Sequence, residues 1–210
     1  MLVQKGRLRI GTLHDYRRIE IHGPMIGDDQ EGWAASYDAP AFATPDTLSP
    51  FAAPMAAQTF RSLFGTERVD TRTVGFINCM FSRPTVSPNC WLYCTSARLG
   101  RRVMESMEKG YDACVRIDYV DEFFKALAEE LDRQRLITGG RIIRCVYRDR
   151  EQHYTVDDRL APLAIKSMDY AIQEEVRFVY FPANPITEEY RDVTIPELTK
   201  LVEAVTDIPE

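Results

Sequence analysis

Residues 166–181 read KSMDYAIQEEVRFVYF, and this stretch decides how the chain is read. Apolar Val176, Phe178 and Tyr180 alternate with polar Glu175 and Arg177, the period of two that marks a β-strand. In a strand over 174–181, Val176, Phe178 and Tyr180 share one face, and Gln173, Glu175 and Arg177 share the other. An amide, a carboxylate and a guanidinium then project to a common side. Such a row suits a cleft that handles a charged ligand. A bulge would exchange Glu174 for Glu175 on that side, so both carboxylates are candidates for the inward position.

Outward from this strand, the pattern predicts further strands over 7–10, 74–81, 90–94, 113–117 and 141–148. Two prolines make 82–89 a hairpin-like loop. Thr12 is placed to cap a short helix to about residue 20. Thr95 or Ser96 is placed to cap a helix to about residue 109, stopped by Gly110. Phe123, Phe124, Leu127 and Leu131 give helical spacing over 118–135. Thr194 and Glu197 form a capping box for a last helix with the stripe Leu198, Leu201, Val202 and Val205. Residues 23–73 read as a loop-rich or helical insertion within one domain over 1–210. Strands and helices mix without strict alternation, which argues for an α+β fold rather than a doubly wound sheet.

The chain has 210 residues, 45% apolar and 28% charged, with a formal net charge of -6. That balance disfavours nucleic acid as a partner. Two local basic clusters stand out against it: Arg98, Arg101 and Arg102, and Arg141, Arg144, Arg148 and Arg150. No run approaches the ~18 apolar residues of a membrane span. The first residues lack the apolar segment of a secretory signal, so a cytoplasmic location is expected. Five cysteines sit in apolar segments, which suits reduced, buried thiols.

No phosphate-loop, dinucleotide, zinc-protease or hydrolase motif occurs, and Cys90 and Cys94 lack a second pair to build a zinc site. Three segments are candidate sites. The first is Gln173 with Glu175, where the plainer alternative is an edge strand whose Glu175 pairs with Arg177 or a neighbouring strand. The second is Tyr93, Cys94, Thr95 and Ser96, read as a strand meeting a helix N-terminus, which favours anions. The third is Arg9, Gly11 and Thr12 followed by Tyr16 and Arg17: glycine allows close approach to the backbone, and arginine suits phosphate. The acidic loop Asp28, Asp29 and Glu31 could hold a divalent ion or a basic partner.

The order Arg9, then Cys94-Thr95-Ser96, then Gln173-Glu174-Glu175 resembles the bacterial-toxin branch of the ADP-ribosyltransferases. That family carries an Arg, a Ser-Thr-Ser and a Gln/Glu-x-Glu motif on successive strands. Cys94 stands at its first serine position. The resemblance implies a mixed or largely antiparallel split sheet with flanking helices and NAD in a central cleft. It also implies Glu175 stabilising the ribose cation, Gln173 positioning the acceptor, and Tyr16 or Tyr93 stacking on nicotinamide. The acceptor would be a macromolecule or a small molecule. A wider resemblance, over LRIGTLHDYRRIE, GDDQEGW, FSRPTVSPNCWLYCTS and DYAIQEEVRFVYFP, is to bacterial domains associated with phage defence. It supports class and context rather than mechanism. The alternative to a toxin is a non-catalytic sensor or partner-binding module, which expects a cleft filled by side chains and Glu175 paired with Arg177 or Arg144.

Overall fold

The structure is a computed structural model that describes residues 2–24, 26–64, 75–106, 113–156 and 160–208. The first half runs α1 (Leu2–Lys5), β1 (Arg7–Thr12), α2 (Ile19–His22), β2 (Trp33–Asp38), β3 (Phe42–Ala43), α3 (Ala52–Phe64), β4 (Phe76–Ile77), β5 (Phe81–Val86), β6 (Trp91–Ser96) and α4 (Arg101–Ser106). The second half runs β7 (Cys114–Ile117), α5 (Val120–Arg133), β8 (Ile137–Arg144), β9 (Val146–Tyr147), β10 (Glu151–His153), β11 (Ile165–Lys166), β12 (Glu175–Pro182), β13 (Tyr190–Thr194) and β14 (Val202–Val205). The fold is mixed α+β with mostly antiparallel pairing. The principal sheet has the order β13-β1-β6-β12-β8, and a second sheet has the order β10-β2-β5.

β12 sits inside the principal sheet, paired to β6 from Glu175↔Ser96 to Tyr180↔Trp91 and to β8 on its other side. One of its faces is apolar because α5 lies against it. Phe123, Leu127 and Leu131, four residues apart, are fully buried and meet Leu8, Ile10, Trp91, Phe178, Tyr180 and Val193. Burying side chains of this size stabilises by about 1.5–3 kcal/mol each. Phe124 stacks on Tyr180 with ring centroids 5.0 Å apart, and the Tyr180 hydroxyl donates to the Phe124 carbonyl. The other face is covered by Leu13 and Leu163, packed on Cys90, Leu92 and Val179.

The sheet divides between β1 and β6. Those strands pair only at Gly11↔Leu92 and Thr12↔Trp91, whereas β1 pairs with β13 from Arg7 to Gly11. Beyond that junction, residues 93–96 of β6 are held by β12 on one side only.

Several expectations are corrected. Ser96 ends a strand instead of capping a helix, and the helix that follows starts at Arg101. Residues 33–38, read as insertion, form β2, and 82–86 of the expected 82–89 loop belong to its partner β5. The insertion does contain a helix, α3, and its 65–73 part lies outside the described residues, as do Val74, Lys109 and Gly110. Thr194 ends β13. Pro196–Lys200 make one short 3-10 segment, and Val202–Val205 pair with β7 instead of continuing a helix. No helix among the described residues is long and apolar enough to cross a membrane.

Candidate functional site

Glu175 opens β12 and its side chain is buried. Glu174, one residue earlier, has φ 41 and ψ 51, the left-handed conformation that closes the 3-10 segment Met168–Gln173. This single backbone turn settles which carboxylate points inward. Glu175 faces the buried side and Glu174 the rim, where it meets Arg98 at 3.6 Å and Arg144 at 3.4 Å. Gln173 lies before the strand rather than in it, yet its amide oxygen accepts from Lys166 Nζ at 2.9 Å.

Both oxygens of Glu175 are occupied. Lys166 Nζ donates to Oε2, and Arg177 Nε donates to Oε1 at 2.5 Å. Arg177 in turn forks onto Glu31, with Nη1 to Oε1 at 2.6 Å and Nη2 to Oε2 at 2.9 Å, and reaches the Leu163 carbonyl at 2.6 Å. The chain Lys166–Glu175–Arg177–Glu31 carries two cations and two anions, all buried. Burial alone would raise the Glu175 carboxyl. The Arg177 and Lys166 charges, with their hydrogen bonds, outweigh it and hold the group down at about 2. Burial likewise opposes charge on Arg177, and Glu175 and Glu31 reverse that, pushing it well above its ordinary value. The backbone N–H of Glu175 donates to the Tyr147 hydroxyl at 2.6 Å.

A cavity of about 790 Å³ is lined by residues 92–98, by α4 and β7, and by the start of β12. That volume suits a small-molecule ligand. Its polar end is walled by Lys166, Gln173, Glu175, Arg177 and Ser96, and its apolar end by Tyr93, Val103, Val115, Ile117 and Phe178. Tyr16 and Thr95 also line it. Cross-strand register puts Ser96 and Glu175 on one sheet face and Tyr93 and Thr95 on the other, so the lining draws on both faces. The Thr95 hydroxyl donates to the Val176 carbonyl.

The other sequence candidates stand apart. Arg9 shares the sheet face of Glu175 by register but does not line the cavity. It pairs with Asp192 at 3.1 Å and covers the Tyr190 ring at 3.8 Å. Gly11 is needed for packing: a Cβ there would meet the Tyr16 ring at 2.9 Å. Thr12 is buried and accepts from the Asp15 N–H. Arg17 Nε donates to the Glu31 carbonyl at 2.7 Å. Two members of the acidic loop are spent on internal pairs, Glu31 with Arg177 and Asp28 with Arg150, and Asp29 is exposed. The five cysteines are free thiols. Burial pushes Cys90 and Cys145 up to about 12 and Cys94 well above its ordinary value, which makes these three poor nucleophiles.

Lys166 is the site residue that the sequence reading passed over. Its one signal is a charge closing the apolar run 160–165. Comparison with protein-family models, curated proteins and solved structures returns no match.

Proposed function

We propose that this chain is a ligand-binding module, a non-catalytic sensor whose cavity receives a small molecule. The observation that carries the reading is the capture of both Glu175 oxygens by buried cations. A carboxylate that stabilises a developing ribose cation must direct uncompensated charge at the reacting carbon. Here that charge is already balanced by Lys166 and Arg177. A carboxyl held at about 2 also has no proton to give at neutral pH and is a weak base. A sensor role within a bacterial defence system accords with the wider resemblance.

An NAD-dependent ADP-ribosyltransferase is the second reading. It is favoured by the presence of Tyr16, Tyr93, Thr95, Ser96, Gln173 and Glu175 around one cavity. The two separate on incubation with NAD, following nicotinamide release by chromatography. The sensor reading expects no release above that of Glu175→Ala, with folding of the variant checked by circular dichroism. Release by the wild type that drops in both Glu175→Ala and Gln173→Ala overturns it in favour of the transferase.

A further inference from the structure

The two basic clusters of the sequence meet across one side chain. Arg98 follows β6, Arg144 ends β8, and both reach the Glu174 carboxylate, one to each oxygen. The backbone holds that carboxylate there in the left-handed region, which costs a non-glycine residue about 1–2 kcal/mol. It is pinned by the Glu174 N–H donating to the Ala171 carbonyl at 3.2 Å and the Ala97 N–H donating to the Glu174 carbonyl at 2.9 Å. The return is small, because the ion pairs are long and exposed. The Arg98 and Arg144 side chains are 57% and 71% accessible. Pairs of that kind contribute about 0–1 kcal/mol. Glu174 therefore occupies an anion position without binding strongly to it. A phosphate group, with more charge and more acceptor oxygens, makes shorter bidentate bonds to guanidinium.

The position adjoins the cavity: Ser96, Ala97, Arg98 and Glu175 are its lining. The interior network is charge-balanced, so the rim is where a ligand's negative charge meets solvent-exposed guanidinium groups held by long contacts to Glu174. We infer that Arg98 and Arg144 form the anion subsite of this cleft, that Glu174 is its built-in competitor, and that the ligand is a phosphorylated small molecule whose body enters the cavity. The inference rests on the cavity reading for the ligand's body, and on the arginine pair for its phosphate.

The two parts are tested separately on the full chain by calorimetry. With inorganic pyrophosphate as probe, Glu174→Gln binds roughly tenfold more tightly than wild type. The double variant Arg98→Gln/Arg144→Gln loses binding, and Arg102→Gln leaves it unchanged. Equal affinities for wild type, Glu174→Gln and the double variant overturn the anion subsite. The three arginines are exposed and Glu174 is half-buried at the rim, and circular dichroism checks that each variant folds. ADP is then compared with pyrophosphate: tighter binding of ADP that disappears in the cavity-filling Ser96→Trp variant supports entry of the ligand's body. ADP binding no tighter than pyrophosphate in the wild type overturns the cavity's part and leaves the arginine pair standing.

Discussion

Adjacent glutamates in this chain have opposite fates because one residue takes a left-handed turn. Glu174 becomes a rim group shared by two exposed arginines, and Glu175 becomes an ionised carboxylate inside the protein. The inner pair is stable only as a set, since a lone buried charge costs several kcal/mol and each partner offsets the other. Glu175→Gln leaves Lys166 and Arg177 under-compensated and is expected to lower stability by about 3–5 kcal/mol in urea denaturation. The pH dependence follows from the direction of the shift. The carboxyl sits at about 2 against an ordinary 4.5, so its ionised form is favoured in the folded state. Its contribution, roughly 3 kcal/mol, is fully present above pH 4.5 and is lost as pH falls toward 2. Thermal scans across that window should show a steeper loss for wild type than for Glu175→Gln.

At the scale of elements, β8 and β12 show how tightly the principal sheet is built. A Cβ at Gly140 would lie 2.7 Å from the Tyr180 ring and 2.8 Å from the Val179 carbonyl, while a Cβ at Gly139 meets nothing within 4 Å. Gly140→Ala is expected to cost about 1–3 kcal/mol through overpacking, and Gly139→Ala to stay within roughly 0.5 kcal/mol of wild type in chemical denaturation. Equal effects would refute the close approach of β8 to the Tyr180–Phe124 stack. Helix α5 was legible in the sequence because its apolar side chains recur at four-residue spacing and it buries that stripe in one place. The expected last helix does not form even though Leu198, Leu201, Val202 and Val205 have helical spacing, because the stripe is divided between a 3-10 segment and β14. The pairing of Val202–Val205 with β7 is a long-range event that local capping signals do not report. β2 was missed for a similar reason, since its WAASYD has little apolar alternation and is strand only through β5 and β10.

Across the whole molecule, two buried ion pairs tie the 26–32 loop to distant strands: Glu31 to Arg177 on β12, and Asp28 to Arg150 beside β10. Tyr170 adds a hydrogen bond from its hydroxyl to the Gly27 carbonyl. Removing Glu31 by substitution with Ala should therefore raise amide exchange across 26–32 as well as destabilise the protein. Destabilisation without a local rise in exchange would mean that the loop is held by its other contacts. The sequence by itself determined a strand over 174–181, within one residue of β12 at either end, its alternating faces, the α5 stripe and the α+β class. Each of these follows from side-chain periodicity, which is local. Only the tertiary structure decided that Glu175 turns inward, that Lys166 and Glu31 complete its charge balance, and that Arg9 lies outside the cavity. Those outcomes depend on which charges are brought within hydrogen-bond distance once water is excluded, and residues 146 positions apart, such as Glu31 and Arg177, meet only through the fold.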